Sequence, residues 1–156
     1  MPVEVQVASA VQIASALDEI PQAREIQIWA DTALEEVVDG EPPDLCIRVV
    51  DSEESLALNA RFRGVDEPTN VLSFPAQVDL PGENIYGDVV ICASVVCSEA
   101  ADQGKSVCDH YAHMVVHGVL HLAGYDHEHN KDAELMEALE IKILERVGVA
   151  DPYAER

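Results

Sequence analysis

All six histidines of this 156-residue chain lie between His110 and His129, which concentrates possible metal ligands in one short segment. His117 and His121 are four residues apart, and residues with that spacing lie one turn apart on the same face of an α-helix. Two imidazoles in this arrangement can bind one metal ion, as the paired histidines of helical zinc sites do. The spacing therefore predicts a metal-binding helix.

A third ligand follows at the point where this helix should end. Gly124 has no Cβ and can adopt the left-handed conformation that ends helices, so the chain can turn back and bring His127 to the same point. Three imidazoles leave a fourth position open for water or substrate, as in catalytic zinc sites. We therefore predict one Zn²⁺, or another divalent transition metal, bound by His117, His121 and His127. Asp126 is either a carboxylate that orients an imidazole or a turn former.

The other histidines fit this site less well. His113 lies four residues before His117 and forms a rival pair with it, but His110 is only three residues earlier and gives no convergent third ligand. We interpret His113 as a residue of the helix face or as a support for a metal ligand. His110 and His129 are interpreted as surface residues.

The histidine spacing matches the metallopeptidase pattern H-E-x-x-H-x-x-G-x-x-H in every position but one. The glutamate that serves as the general base of a peptidase is replaced by Gly118. Peptide hydrolysis needs a positioned carboxylate to accept a proton from the attacking water, and glycine cannot supply one. The sequence therefore disfavours a peptidase, and we expect Gly118 to leave room beside the metal for a bulky substrate.

Around this segment, the hydrophobic pattern predicts interspersed strands and helices. Strands are expected at residues 3–7, 46–50, 71–74 and 87–92. Helices are expected at residues 21–38, 51–62, 94–101 and 108–123, and a last helix should run from Asn130 or Asp132 to about Val147. These elements predict one α/β (α+β) domain over residues 1–156, in which a small mixed sheet of about four strands packs against helices, including a zincin-like metal helix.

Local signals also indicate how two of these helices should begin and pack. Asp51 and Glu54 are spaced as a capping box at the start of the second helix. Met114, Val115 and Val119 lie away from the His117/His121 stripe, so we expect these three side chains to face the core.

The chain is strongly acidic, since 30 Asp and Glu against 9 Lys and Arg give a net charge of −21 at pH 7. Non-specific nucleic-acid binding depends on Lys and Arg that neutralise phosphates, so this composition excludes a protein that coats RNA or DNA indiscriminately. It is compatible with cleavage at a locally basic or metal-bearing site, or with a basic protein partner. An acidic proteome would also produce this total without any specific function.

No segment approaches about 20 consecutive apolar residues, and the first twenty residues contain no Lys or Arg. We therefore expect a cytoplasmic protein without a membrane span. Cys46, Cys92, Cys97 and Cys108 form no CxxC pair. Isolated cysteines in a cytoplasmic chain are usually small buried side chains, so we expect neither a disulfide nor a cysteine metal site.

Two sequence blocks resemble a known family. Residues 117–127, HGVLHLAGYDH, resemble the HGxLHLxGYDH motif of the YbeY family of rRNA maturation factors, which are bacterial metal-dependent endoribonucleases. Residues 58–64 (LNARFRG) and 68–75 (PTNVLSFP) resemble that family's LN-x-x-[YF]-R-G and PT-[DN]-VLSFP blocks. The resemblance extends over about residues 40–153 and includes the strand at residues 87–91 and the C-terminal helix.

The resemblance implies a zinc-dependent, single-strand-specific endoribonuclease that acts in rRNA maturation, at the 3′ end of 16S rRNA, and in ribosome quality control. It also implies that Arg63, which precedes Gly64, is the active-site arginine; the local pattern alone would favour a surface ion pair. The implied partners are rRNA and the small ribosomal subunit, reached through ribosomal or assembly proteins, with no DNA and no membrane. The alternatives are a metallopeptidase-like hydrolase and a non-catalytic ribosome assembly factor with a structural metal.

Overall fold

The computed structural model describes residues 9–14, 20–38, 43–75, 85–125 and 130–153. Within these ranges the chain forms four strands and five helices that are interspersed along the sequence. In chain order they are β1 (Ser9–Ala14), α1 (Ala23–Val37), β2 (Asp44–Val50), α2 (Ser52–Arg63), β3 (Val71–Pro75), β4 (Ile85–Cys92), α3 (Ala93–Gln103), α4 (Val107–Leu122) and α5 (Asn130–Arg146).

The four strands form one mixed sheet in the order β1-β2-β4-β3. Strands β1, β2 and β4 run parallel, and β3 pairs antiparallel with β4, so that Val71 lies opposite Ile91 and Phe74 opposite Asp88. Helix α4 packs against both β3 and β4. The histidine-bearing helix and strand β3 therefore lie side by side.

The side chains of β2 alternate between two faces of the sheet. Leu45, Ile47 and Val49 are buried in the larger core, which the sheet shares with α1, α4 and α5. A smaller cluster on the opposite face packs against α2 and consists of Val50, Leu72 and Val90. Because both faces are covered, β2 is nearly continuously apolar, as expected for a strand within a parallel sheet.

The predicted fold class, a mixed sheet of about four strands packed against helices, is confirmed. Elements predicted within the described ranges are present, and their ends lie within two residues of the predicted ones. The predicted strand at residues 3–7 lies outside the described residues. Strand β1 was not predicted, because Ala10 and Ala14 have low strand propensity and weaken the apolar alternation. No helix in the described ranges has the length and apolar character needed to cross a membrane.

Asp51 is the N-cap residue of α2, but the predicted capping box does not form. The Asp51 side chain makes no capping hydrogen bond. Glu54 instead accepts two hydrogen bonds from the Arg48 guanidinium on β2, at 2.6 Å from Nε and 2.9 Å from Nη2. A bidentate, charge-assisted pair is stronger than a neutral hydrogen bond, so Glu54 ties α2 to the sheet instead of capping the helix.

The structure describes all four cysteines, and none of them forms a disulfide. Cys92 is buried as predicted, and Cys46 and Cys97 are partly buried. Cys108 in the first turn of α4 is exposed, so the prediction of a small buried side chain is wrong there. Its Sγ lies 3.5 Å from the Glu25 carboxylate of α1. The N-cap residue Ser106 is exposed as well, so α4 begins at the surface.

Candidate metal centre and substrate cleft

Helix α4 holds His117 and His121 side by side. Their Nε2 atoms are 3.0 Å apart, and their ring centroids are 4.6 Å apart. Both side chains are half-buried, whereas Met114, Val115 and Val119 are at most 5% exposed, which confirms that these three face the core. Burial of that apolar face fixes the rotation of α4 and directs the two imidazoles toward the surface.

The chain turns sharply after α4, as predicted at Gly124. This residue has a φ of 98°, a value that L side chains rarely adopt. The backbone N–H of Tyr125 then donates to a carbonyl in the last turn of α4, at 3.0 Å. The predictions for Asp126, His127 and His129 concern positions outside the described residues, which resume at residue 130.

A cleft of about 740 Å³ opens over the two histidines. Its walls come from the C-terminal end of α2, the loop that precedes β3, strand β3 itself and the turn after α4. The described lining residues are Phe62, Arg63, Thr69, Asn70, Val71, Leu72, Ser73, Phe74, Pro75, His117, His121, Gly124 and Tyr125.

Two buried polar side chains of α2 hold the loop at residues 64–70 in place. The Ser55 hydroxyl bonds both the N–H and the carbonyl of Thr69, at 3.0 Å and 3.1 Å. Asn59 donates from Nδ2 to the Glu67 carbonyl at 2.8 Å. Buried polar groups persist when they are hydrogen-bonded, so these contacts shape one wall of the cleft.

Arg63, the last residue of α2, presents an exposed guanidinium at the cleft. No described residue forms an ion pair with Arg63, so the described contacts do not show the surface ion pair that its local pattern would favour. The neighbouring Phe62 is 55% exposed and packs edge-to-face on Phe74 at 5.2 Å between ring centroids. The Arg61 guanidinium lies 5.2 Å from the Phe62 centroid, within cation–π range.

The charge of the cleft differs from that of the whole chain. Of the 30 acidic residues in the sequence, none belongs to the described lining of the cleft. That lining includes the Arg63 cation, the two imidazoles and several uncharged polar side chains. Local fields, more than net charge, decide which ligands a concave site accepts, so this cleft suits an anionic group.

Four side chains around the buried Glu140 form what we name the Glu140 cluster: Glu140, His113, His117 and Tyr153. Glu140 and His113 are buried, whereas His117 and Tyr153 are partly buried. Glu140 Oε2 lies 2.9 Å from His117 Nδ1 and 3.0 Å from His113 Nε2, and the Tyr153 hydroxyl donates to Oε1 at 2.6 Å. Burial alone would raise the pKa of Glu140, but the hydrogen bonds with His113 and His117 outweigh it and lower this pKa to about 2. Glu140 is therefore an ionised carboxylate that accepts all three hydrogen bonds.

The described residues offer two sets of metal-ligand atoms, and both sets use His117. In the first set, the Nε2 atoms of His117 and His121 face the cleft, 3.0 Å apart. Two nitrogens bound to one tetrahedral zinc at about 2.0–2.1 Å lie about 3.3 Å apart, so this pair fits such an ion with little adjustment. In the second set, atoms of His113, His117 and Glu140 lie within 4.8 Å of one another. The imidazole and carboxylate ligands of either set suit zinc and related divalent metals.

His110 is buried, with 3% exposure, so its prediction as a surface residue is wrong. Its Nε2 lies 2.9 Å from Glu99 of α3, and Glu99 also accepts a hydrogen bond from Asn70 at 3.1 Å. Burial lowers the pKa of His110 even though Glu99 opposes this effect. The cause of the error is tertiary, because α3 covers the first turns of α4 and the histidine connects α3, α4 and the start of β3.

Gly118 does not open space for substrate, so this expectation is wrong as well. A Cβ at this position would lie 2.6 Å from Val89 Cγ1 of β4 and 3.3 Å from Val71 Cγ2 of β3. The glycine therefore lets α4 approach β3 and β4 closely. The Gly118 carbonyl also accepts a hydrogen bond from the Ser73 hydroxyl at 2.9 Å, which fixes β3 against the helix.

We predict that Gly118→Ala lowers the free energy of unfolding by about 1–3 kcal/mol, the usual cost of overpacking a core. This loss should occur although alanine favours helices over glycine by about 1 kcal/mol. Urea denaturation followed by circular dichroism measures it. The Val89→Ala, Gly118→Ala double variant should lose less free energy of unfolding than the two single variants lose together, because the contact couples the two sites. A Gly118→Ala protein as stable as the wild type would contradict this packing.

The sequence interpretation gave no place to Glu140 or Tyr153, which the structure brings into contact with His113 and His117. Glu140 lies within the predicted last helix, for which only the apolar pattern was interpreted. A signal was nevertheless present: Glu140 interrupts the apolar stripe formed by Met136, Ile143 and Leu144. A charged residue on a buried stripe needs a partner, and the histidine cluster was the natural candidate.

The fold and the site define a small α/β protein in which two helical histidines face a cleft beside an antiparallel strand. This arrangement is similar to the solution structure of TM1509 from Thermotoga maritima, with a TM-score of 0.60 and 28% sequence identity. The match covers 88% of this chain and 89% of the Thermotoga chain.

Sequence comparison gives the family. The profile of the family described as Endoribonuclease YbeY matches residues 11–148. The Endoribonuclease YbeY of Halorhodospira halophila (strain DSM 244 / SL1) is 53% identical over 140 residues, which cover 87% of this chain and 90% of that relative. The chain belongs to the YbeY endoribonuclease family.

Proposed function

We propose that this chain is a metal-dependent endoribonuclease that cleaves single-stranded RNA in the cleft over His117 and His121, and that it acts in rRNA maturation in the cytoplasm. The main support is the composition of the cleft. Two imidazoles and the exposed Arg63 line it without any described carboxylate, in a chain with a net charge of −21. A polyanionic substrate needs such a local reversal of charge.

His117, His121 and His127 would hold one Zn²⁺ or another divalent transition metal. Such an ion, when bound, polarises a phosphoryl oxygen or lowers the pKa of a water molecule. Neutral imidazole nitrogens are suitable ligands for it, and the two described Nε2 atoms face the cleft together.

Arg63 would orient the scissile phosphate. A guanidinium stays protonated and offers parallel N–H donors that match two phosphate oxygens. Donors aimed at the place where charge develops stabilise the transition state more than the ground state. Because no described residue pairs with Arg63, its donors are available to a phosphate at the cleft.

The aromatic pair at the cleft supports the proposed preference for single strands. Phe62 and Phe74 pack edge-to-face, and both line the cleft next to Arg63. Unpaired bases can stack on such rings, whereas a duplex buries the faces of its bases. The wall formed by α2 and β3 would therefore bind the nucleotide next to the cleaved phosphate.

The alternative functions use other features of the site. A metallopeptidase needs a general base, but Gly118 replaces the expected glutamate and Val89 occupies the space beside it. Among the described residues, the cleft lining supplies no carboxylate as a substitute base. A non-catalytic assembly factor with a structural metal would use the buried set of His113, His117 and Glu140.

The net charge of −21 also restricts how RNA would reach the cleft. The chain as a whole repels free RNA at long range, and added salt screens this repulsion. We therefore propose recruitment to the small ribosomal subunit through its proteins or through assembly proteins. Moderate salt should impair this enzyme less than a basic nuclease, whose binding depends on counterion release.

The test uses the zinc-loaded wild-type protein on three substrates: a labelled single strand from the 3′ region of precursor 16S rRNA, the same sequence in a duplex, and casein. We expect cleavage of the single strand only, loss of cleavage after chelation and recovery when Zn²⁺ is restored. Digestion of casein with intact RNA would favour the peptidase. A metal-replete protein that hydrolyses none of the three, either free or within precursor subunits, would favour the assembly factor.

A further inference from the structure

The side chain of Glu140 lies on the inner side of His117, opposite the cleft. It is 1% exposed, and its two carboxylate oxygens contact three side chains at 2.6–3.0 Å. An unpaired charge in a protein core is strongly unfavourable, whereas one that accepts several hydrogen bonds is tolerated. The Glu140 cluster therefore defines one stable orientation for each of its members.

The contacts of Glu140 determine which nitrogen of His117 bears the hydrogen. The two oxygens of Glu140 lie 2.6–3.0 Å from three hydrogen-bonding side chains. Carboxylate oxygens are acceptors, so this geometry makes Nδ1 of His117, at 2.9 Å from Oε2, the donor. In a neutral imidazole the other nitrogen then presents a lone pair. That nitrogen is Nε2, which lies 3.0 Å from Nε2 of His121 on the cleft side.

We propose that Glu140 is a positioning residue for the metal: it accepts the Nδ1–H hydrogen bond of His117 and so holds Nε2 toward the cleft as a ligand atom. His113 and Tyr153 hold the carboxylate in turn, because His113 also contacts Oε2 and the Tyr153 hydroxyl donates to Oε1. Partners of this kind fix the tautomer of a ligand histidine and raise its basicity. This inference rests on the metal site of the proposed function.

The same geometry disfavours Glu140 as a direct metal ligand. His113, His117 and Glu140 offer only three ligand atoms, and Glu140 and His113 are both buried. Closed structural zinc sites normally have four protein ligands, and open sites need access for water. The remaining neighbour, the Tyr153 hydroxyl, already donates to Oε1 at 2.6 Å. His117 belongs to both sets of ligand atoms. When its Nε2 binds one ion at the cleft, its Nδ1 stays hydrogen-bonded to Glu140.

The first test measures the tautomer of His117 in the metal-free wild-type protein by long-range ¹H–¹⁵N correlation of its imidazole. We expect hydrogen on Nδ1 and a lone pair on Nε2. In folded Glu140→Gln, whose side-chain amide can donate as well as accept, we expect this tautomer to be no longer fixed, whereas a merely structural role for Glu140 predicts no such change. Hydrogen on Nε2 would overturn the proposal, whether or not the protein binds metal or cleaves RNA.

The second test measures Zn²⁺ affinity by competition with a chromophoric chelator. Glu140→Gln should bind one Zn²⁺ about 10–100-fold more weakly than the wild type. Glu145→Gln is the matched control, since it makes the same change at an exposed position of α5 and should leave the affinity unaltered. Tyr153→Phe removes only a hydroxyl, so it should weaken Zn²⁺ binding less than Glu140→Gln does. For the same reason, we expect Tyr153→Phe to remain folded even if Glu140→Gln unfolds.

Two results of the affinity measurement would overturn the proposal. In one, Glu140→Gln and Tyr153→Phe both bind Zn²⁺ as tightly as the wild type. In the other, Co²⁺-loaded Glu140→Gln shows a changed coordination number, which would make Glu140 a direct ligand. A finding that the wild-type protein binds no metal would instead reject the proposed function. The tautomer measurement would still test the contact between Glu140 and His117 in that case.

Discussion

The His121→Ala protein should lose its bound metal ion and, with it, RNA cleavage down to the background of the assay. His117 and His121 hold their Nε2 atoms 3.0 Å apart, and His121→Ala removes one of the two. Of the three ligands we propose, only two then remain. Metal ions contribute several kcal/mol to stabilising a transition state. Since about 1.4 kcal/mol corresponds to a factor of ten, the expected loss is about a thousandfold or more.

Metal content and cleavage should be measured on the same preparations, with His117→Ala, His127→Ala and His113→Ala beside His121→Ala. The fold should persist in His121→Ala, because the apolar face of α4 is untouched and His121 is only half-buried. His113→Ala is the informative comparison, and we expect it to retain one ion per chain at saturating Zn²⁺. Loss of metal in His113→Ala with retention in His127→Ala would reject the assignment of ligands.

The Arg63→Ala protein should keep its metal but cleave RNA about 10²–10³-fold more slowly in kcat/KM, the usual effect of removing a donor to the transition state. Arg63 ends α2 at the cleft, and its exposed side chain contributes nothing to the core. Stability and metal content should therefore be unchanged. Single-turnover cleavage of labelled RNA at saturating protein concentration separates this effect from weaker binding.

Arg61→Ala provides the matched control for charge. It removes the same charge two residues earlier on α2, from a guanidinium that lies against Phe62. We expect a small effect on KM there and little change in kcat. Arg63→Lys should recover part of the activity, because an ammonium supplies charge without the bidentate geometry. If Arg61→Ala and Arg63→Ala lost equal amounts of activity, the contribution of Arg63 would be that of its charge alone, and its proposed contact with the phosphate would be rejected.

Much of the fold was predictable because it depends on local patterns. The helices show apolar periodicity, and glycines such as Gly64 and Gly124 mark points where positive φ is required. Strand β1 escaped prediction because its small residues give a weak pattern and its parallel pairing with β2 is a long-range contact. The capping box failed for the same reason, since Arg48 on β2 competes for Glu54.

For the candidate site, too, features that arise from local contacts could be predicted, whereas features that depend on tertiary contacts could not. The side-by-side placement of His117 and His121 follows from one turn of helix, so spacing alone predicts it. The burial of His110 and the role of Glu140 depend on how α3 and α5 pack against α4. The function of Gly118 likewise requires knowledge of the distance to Val89 on the sheet.

The most direct test of the central claim compares the rates at which wild type, His121→Ala and Arg63→Ala cleave precursor small ribosomal subunits and free precursor rRNA. We predict cleavage by the wild type, faster on subunits than on free RNA, with none detectable for His121→Ala and a strongly reduced rate for Arg63→Ala. Cleavage lost in His121→Ala but intact in Arg63→Ala would retain the metal site and reject the role of the arginine. Equal cleavage by all three proteins would contradict the account, because the activity would then belong to a contaminating nuclease.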